Sequence, residues 1–119
     1  MSDTTVLIDA RNVQRSKWPN LSDEELVERA RAWAGRNGKR VVLVFDGKAP
    51  DGIAGTKELD ARTTLVGAGG ESADDWLIRE APNYPGAWLV TSDRALRAAA
   101  GGQAERVIGG GSFLRELEG

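Results

Sequence analysis

Short apolar runs rich in β-branched residues recur along the chain, and the segments between most of them carry helix signals. Strands that are joined through helices run parallel, and their crossover connections are right-handed. This alternation therefore restricts the chain to a layered α/β fold. Five such runs predict strands at residues 4–8, 40–45, 62–66, 87–91 and 105–108.

Capping residues mark the helices between these strands. Ser22 and Glu25 form a capping box, and the helix that follows them should end at Gly38. Three further helices are expected, beginning at Ser72, at Ser92 or Asp93, and at Ser112. The sequence therefore predicts a three-layer α/β fold, with a mainly parallel five-stranded sheet and helices on both faces.

Residues 47–60 lack a periodic pattern of apolar side chains. The segment contains Pro50 and the glycines Gly47, Gly52 and Gly55, which favour turns over regular elements. We therefore expect a surface loop here, one that could gate a site. The length of 119 residues leaves room for one compact domain, spanning residues 1–119.

Two residue types that carry much of protein chemistry are absent from the sequence. Without cysteine the chain forms no disulfide scaffold, thiolate nucleophile or cysteine–zinc site. Without histidine it forms no Ser-His-Asp triad, histidine-ligated zinc site or histidine-pair ribonuclease site. Any chemistry therefore rests on carboxylates, hydroxyls, lysines, arginines or a bound hard cation.

The first residues carry neither a basic stretch nor a long apolar run, so we expect no signal peptide and no membrane anchor. This favours a cytoplasmic location. The net charge of -2 argues against a strongly basic protein that binds nucleic acid non-specifically. A local basic patch is compatible with that charge.

Acidic residues follow several of the predicted strands at the point where each strand ends. Asp9, Asp46 and Asp93 lie there, and Asp74 and Asp75 open the helix after the third strand. If the first strand is central, in the sheet order 3-2-1-4-5, these carboxylates meet at the carboxyl edge of the sheet, where open α/β folds bind ligands. Close carboxylates repel one another until a proton or cation binds, and an all-oxygen set favours Mg²⁺ or Mn²⁺.

A hard cation held by carboxylates suits the cleavage of phosphodiester bonds. Each aspartate also has an ordinary structural interpretation: Asp46-Gly47 could be a plain turn and Asp93 a helix cap, while Asp74 and Asp75 could be partners of a helix dipole. The coincidence of all of them favours the functional interpretation. Only one of Asp74 and Asp75 should face an ion, because adjacent helical side chains point about 100° apart.

Polar, aromatic and basic residues accompany these aspartates. Asn12 could bond Asp9 or a substrate phosphate, or it could form an Asx turn. Thr91 and Ser92 could support the aspartates or belong to a helix cap. Trp18 could stack on a base or pin a loop. Five cations should surround the acidic centre and contact RNA phosphates: Arg11, Arg15, Lys17, Lys48 and Arg94.

Four segments of the chain, taken in order, resemble one family. They are Val-Leu-Ile-Asp9-Ala-Arg-Asn12, Val-Phe-Asp46-Gly47, Glu71-Ser-Ala-Asp74-Asp75 and Val-Thr91-Ser92-Asp93-Arg94, and they span nearly the whole chain. The chain is similar to the NYN domains of the YacP-like group, within the PIN-like ribonuclease superfamily. The resemblance implies a Rossmann-like PIN fold and a divalent-metal-dependent endoribonuclease. It also implies that the motif aspartates bind the ion, with Asp74 preferred to Asp75.

The first motif departs from the Asp-Gly-Tyr-Asn pattern of YacP-like members. Ala10 and Arg11 stand in place of the glycine and the tyrosine, so no role of that tyrosine carries over. Arg11 instead offers a cation that could contact a phosphate.

These observations lead to two hypotheses about function. The first is an endoribonuclease that hydrolyses RNA through Mg²⁺ or Mn²⁺, with Asn12 and Asp75 in support and four ligands that act directly or through water: Asp9, Asp46, Asp74 and Asp93. The alternative is a PIN-like module that binds RNA or a ribonucleoprotein, such as the ribosome, without cleavage. A phosphotransfer domain is disfavoured, because Arg11 stands where a dehalogenase-like site needs a second aspartate.

Overall fold

The computed structural model describes residues 3–118, which form a six-stranded sheet with helices on both faces. The strands are β1 (Thr5–Asp9), β2 (Arg40–Phe45), β3 (Gly55–Asp60), β4 (Thr63–Gly67), β5 (Trp88–Val90) and β6 (Arg106–Ile108). The helices are α1 (Ala10–Gln14), α2 (Asp23–Asn37), α3 (Ala73–Glu80), α4 (Arg94–Ala100) and α5 (Gly110–Glu118). Short 3₁₀ turns occupy Pro50–Gly52, Ala81–Asn83 and Gly101–Gln103.

The strands lie in the order β3-β4-β2-β1-β5-β6, and every pair is parallel except the antiparallel pair of β3 and β4. β1 is central, with Leu7 opposite Val42 on one side and Leu89 on the other. The five strands predicted from the sequence take their predicted order. The predicted strand count is wrong, because β3 adds an antiparallel strand at one edge.

The segment predicted as a loop contains both a 3₁₀ turn and β3, so that prediction is wrong. Thr56, Lys57 and Glu58 of β3 are all exposed, because the strand lies at the sheet edge, and only Leu59 of this strand is partly buried against the core. A strand of this kind has no alternation of apolar and polar residues to reveal it. The predicted start of the last helix at Ser112 is also wrong, since α5 begins two residues earlier, at Gly110.

The side chains of β1 and β2 divide the core into two halves. Val6 and Ile8 pack with residues of α1, α2 and α5, whereas Leu7 packs on the other face with residues of α3 and α4. Strands buried on both faces are continuous apolar runs, which is why β1 and β2 were detectable in the sequence. On the first face Trp33 packs edge-on against Phe113, with 5.0 Å between the ring centroids.

Helix caps at the carboxyl edge of the sheet position α3 and α4. Ser72 accepts a hydrogen bond from the backbone N–H of Asp75 at 3.0 Å and so begins α3. Asp93, and not Ser92, caps α4, with Oδ1 2.9 Å from the backbone nitrogen of Leu96. Within residues 3–118, no helix has both the length and the apolar character needed to cross a membrane.

Candidate functional site

An open cleft of about 300 Å³ lies at the carboxyl edge of β1, β2 and β5. Its walls come from the ends of these strands and the starts of α1, α3 and α4, because parallel strands all finish at the same edge. The lining residues are Asp9, Arg11, Asn12, Arg15, Asp46, Ser72, Asp74 and Asp93.

Asp9 is the last residue of β1 and is only 6% exposed. Burial raises the pKa of its carboxyl group to about 6, and the negative charges of Asp74 and Asp46 add to the effect. Hydrogen bonds from the Thr91 hydroxyl and the backbone N–H of Asn12 oppose that rise. Two hydrogen bonds therefore hold the Asp9 carboxylate in place, while burial disfavours its charged form.

Thr91 connects Asp9 to the start of α4. Its fully buried hydroxyl donates to Oδ2 of Asp9 at 3.1 Å and accepts from the backbone N–H of Asp93, also at 3.1 Å. Asp93 in turn uses Oδ1 to cap α4. This chain of bonds holds the carboxylates of β1 and α4 in a set arrangement, which the sequence suggested only as one alternative for Thr91.

Asp46 directly follows β2 and accepts a hydrogen bond from the first residue of α3, the helix that contains Asp74. Oδ1 of Asp46 accepts a hydrogen bond from the backbone N–H of Ala73 at 2.8 Å, while its Oδ2 lies 3.8 Å from Nε of Arg11. Partial burial raises the pKa of the Asp74 carboxyl group, and the negative charges of Asp93, Asp46 and Asp75 raise it further. The carboxylates of the cleft are thus close enough to repel one another.

The carboxylate oxygens of the cleft are the kind of ligand that a hard cation prefers. Within residues 3–118, Asp9, Asp74 and Asp93 form no ion pair with a lysine or arginine, so their charges have no partner in this part of the chain. Oxygen donors of this kind suit Mg²⁺ or Mn²⁺. In the same residues, however, no three acidic side chains converge as a ready-made metal-binding group.

Asn12 is fixed by a second chain of hydrogen bonds. Its Oδ1 accepts from the backbone N–H of Ser92 at 2.9 Å, and the Ser92 hydroxyl accepts from the backbone N–H of Gly110, also at 2.9 Å. A Cβ atom on Gly110 would lie 2.2 Å from Oδ1 of Asn12. Gly110 therefore lets α5 approach the cleft, a role that the sequence did not reveal because it depends on a contact between distant segments.

The structure separates the predicted cations into two groups. Arg11 and Arg15 line the cleft. Lys17 lies outside its lining and pairs with Glu118, with 2.9 Å between Nζ and Oε2. The exposed side chains of Lys48, Arg94 and Asp75 are also outside the lining. Ser72, which the sequence marked only as a helix cap, is part of it.

Comparison with known proteins identifies the fold. No family model matches the chain, and no curated protein matches it. Rae1 (YacP) from Bacillus subtilis is similar in structure, with a TM-score of 0.69 and 20% identity over 98% of this chain and 74% of Rae1. A tryptophan-to-leucine variant of Rae1 gives a TM-score of 0.72 and 22% identity, over 97% and 75% of the two chains. The chain therefore has a YacP-like fold, while its assignment to the NYN domains stays a prediction.

Proposed function

We propose that the chain is a divalent-metal-dependent endoribonuclease that hydrolyses RNA phosphodiester bonds in the cleft at the carboxyl edge of the sheet. The observation that carries the proposal is the presence of four aspartates in one cleft, three of them without an ion-pair partner within residues 3–118. The YacP-like fold and the four NYN-like motifs support RNA as the substrate. We place this activity in a single cytoplasmic domain.

Three carboxylates are the proposed ligands of Mg²⁺ or Mn²⁺: those of Asp9, Asp74 and Asp93. Asp46 would act directly or through water, because one of its oxygens accepts a bond from Ala73 and the other lies 3.8 Å from Nε of Arg11. When bound, the ion would neutralise the carboxylates and stabilise negative charge on the phosphate. We leave Asp75 out of the ligand set, because its exposed side chain is not part of the cleft lining.

Residues at the rim of the cleft would bind and orient the RNA. Arg11 and Arg15 supply positive charge for phosphates that flank the scissile bond. With Oδ1 of Asn12 occupied by Ser92, its side-chain N–H groups are left to donate to a phosphate oxygen. The hydrogen bond from the Thr91 hydroxyl would orient the Asp9 carboxylate.

A non-catalytic module that binds RNA or a ribonucleoprotein is the second candidate, and two observations favour it. Acidic side chains of residues 3–118 do not converge as a ready-made metal-binding group. Arg11, which replaces the tyrosine of the YacP-like pattern, lies 3.8 Å from Asp46 and partly neutralises it. A site of this kind could hold a phosphate without cleaving the bond.

Cleavage of labelled RNA in Mn²⁺ and in EDTA separates the two candidates, with Asp74→Asn and Asp75→Asn as a matched pair of neighbouring carboxylates. The nuclease proposal predicts cleavage in Mn²⁺ alone. Asp74→Asn should slow it by at least about a hundredfold, whereas Asp75→Asn should keep most of the rate. Binding of RNA without metal-dependent cleavage would overturn the proposal in favour of the module.

A further inference from the structure

Trp18 differs from the other tryptophans in its exposure to solvent. Its side chain is 87% exposed, whereas Trp33 and Trp76 are 2% and 8% exposed and Trp88 is half-buried. Of the two interpretations that the sequence allowed, the one in which Trp18 pins a loop is therefore wrong. Most of a large aromatic surface is left in water, where it contributes nothing to folding.

The loop that carries Trp18 is fixed on both sides of it. Before Trp18, the hydroxyl of Ser16 donates to the backbone carbonyl of Asn12 at 2.8 Å, and Lys17 pairs with Glu118 of α5. After it, Leu21 is buried and its backbone N–H donates to the carbonyl of Gln14 at 3.3 Å. These contacts anchor the backbone on both sides of Trp18, which lowers the entropic cost of ordering the loop when a ligand binds.

Trp18 lies close to the proposed active site along the chain. Arg15 lines the cleft, and Trp18 follows it by three residues, which span at most about 11 Å of extended chain. A nucleic acid strand that places one phosphate in the cleft could therefore bring a neighbouring base to the indole ring.

The surroundings of Trp18 favour a nucleobase over a protein as the ligand. Protein hot spots are aromatic residues at the centre of a packed apolar patch. Ser16, Lys17, Pro19 and Asn20 are exposed around Trp18 and do not form such a patch. Base stacking needs only one free aromatic face, with cations nearby for the phosphates.

We propose that Trp18 is a stacking subsite for an unpaired base of single-stranded RNA at the border of the cleft. The proposal rests on the proposed function, since it requires RNA to bind in the cleft. It selects single-stranded over double-stranded RNA, because the bases of a duplex are stacked on one another and do not offer a free face.

The test compares the affinities of the wild type, Trp18→Ala, Trp18→Phe and Ile78→Ala for a fluorescent single-stranded oligouridylate, measured by anisotropy in EDTA and in Ca²⁺, an oxygen-liganded cation that would neutralise the carboxylates of the cleft. Ile78 is the matched control, since among residues 3–118 it is the other large apolar side chain exposed to solvent. We expect Trp18→Ala to weaken binding by about tenfold, Trp18→Phe by less and Ile78→Ala not at all. An oligonucleotide without bases should bind the wild type and Trp18→Ala equally.

Three results would overturn the stacking subsite. Equal affinity of the wild type and Trp18→Ala for the oligouridylate would reject it and leave the nuclease proposal intact. Absence of both RNA binding and RNA cleavage in the wild type would reject both proposals together. Self-association of the wild type that Trp18→Ala abolishes in sedimentation, with RNA affinity unchanged, would assign Trp18 to a protein contact instead.

Discussion

Aspartates at the amino and carboxyl edges of the sheet have pKa values that are shifted in opposite directions. At the amino edge Asp60 accepts bonds from the backbone N–H of Arg62 at 2.8 Å and from Arg31 at 2.9 Å, and these bonds lower its pKa. At the carboxyl edge Asp9 and Asp74 are partly or fully buried near other carboxylates, and their pKa values are raised. The contacts of Asp60 therefore favour its charged form, whereas burial and neighbouring carboxylates disfavour the charged forms of Asp9 and Asp74.

Aromatic and cationic groups extend this contrast at the amino edge. Nζ of Lys39 and Cζ of Arg106 each lie 4.8 Å from the centre of the Trp88 ring. At this distance the face of the indole ring attracts both cations. Every one of these contacts has a plain structural purpose. Within residues 3–118, Arg11 beside Asp46 is the one cation paired with a carboxylate of the cleft, and we propose that a bound cation neutralises the others.

Paired substitutions at the two edges give the largest expected effect. Asp9→Asn should reduce Mn²⁺-dependent RNA cleavage by at least about a hundredfold without loss of stability, because it removes a buried charge that has no cationic partner among residues 3–118. Asp60→Asn should leave cleavage unchanged and lower the free energy of unfolding by less than about 1 kcal/mol. Initial cleavage rates and urea denaturation measure the two quantities. Equal effects of both substitutions on cleavage would remove the contrast between the edges.

Substitution of two adjacent glycines tests whether the position of Asn12 matters for cleavage. Gly110→Ala should reduce cleavage about tenfold, because its Cβ would displace Asn12 from the cleft. Gly111→Ala is the control, since its Cβ would meet nothing closer than a Ser16 carbon at 3.9 Å and alanine favours a helix. Cleavage assays on both variants, with circular dichroism to verify folding, make the measurement. An unchanged rate in Gly110→Ala would show that the position of Asn12 is irrelevant.

Addition of Mn²⁺ should stabilise the carboxyl edge alone. At about ten times its dissociation constant, Mn²⁺ should raise the melting temperature at pH 7.5 by about 5 °C, because it binds the folded chain and relieves the repulsion between carboxylates. The shift should disappear in Asp74→Asn and persist in Asp60→Asn. Differential scanning fluorimetry measures it, and a shift of equal size in both variants would place the ion elsewhere.

The pH dependence of stability should have opposite signs at the two edges. The folded-state pKa of Asp9 is raised to about 6, so in EDTA its contribution to stability is present at acid pH and is lost as the pH rises from about 4 to 6. The lowered pKa of Asp60 gives stability above its unfolded pKa, which is lost as the pH falls. In urea denaturation at pH 4 and 7, Asp9→Asn should gain stability relative to the wild type at pH 7 only, by no more than about 3 kcal/mol. A constant difference between the two chains at both pH values would contradict the raised pKa.

The sequence predicted the buried strands and the edge strand β6, but it missed β3 at the other edge and the short helix α1. Strands β1 and β2 are continuous apolar runs, and the caps of α2 and α3 are side chains that bond neighbouring residues. These signals are local, so they are readable without a structure. The edge strand β3 has exposed side chains, and α1 is five residues long with no side-chain cap at Asp9, so neither left a signal.

The same division holds for the candidate site. Asp9, Asp46 and Asp93 could be predicted because each lies at or just after the end of a strand, and the carboxyl ends of parallel strands meet at one edge. The support that Gly110 gives to Asn12 could not, because it depends on the packing of α5 against a segment about a hundred residues earlier. Exposure of Trp18 was likewise undecidable, since a tryptophan beside a proline suits a packed loop as well as a free one.

Isothermal titration calorimetry with Mn²⁺ at neutral pH tests most directly whether the carboxylates of the cleft bind a divalent cation. We predict saturable binding to the wild type that is lost in Asp74→Asn and retained in Asp60→Asn. Proton release on binding should be small at pH 7 and grow as the pH is lowered towards 6, because the ion displaces protons from carboxyl groups of raised pKa. No uptake of Mn²⁺ by the folded wild type at millimolar concentration, with single-stranded RNA present or absent, would contradict the account.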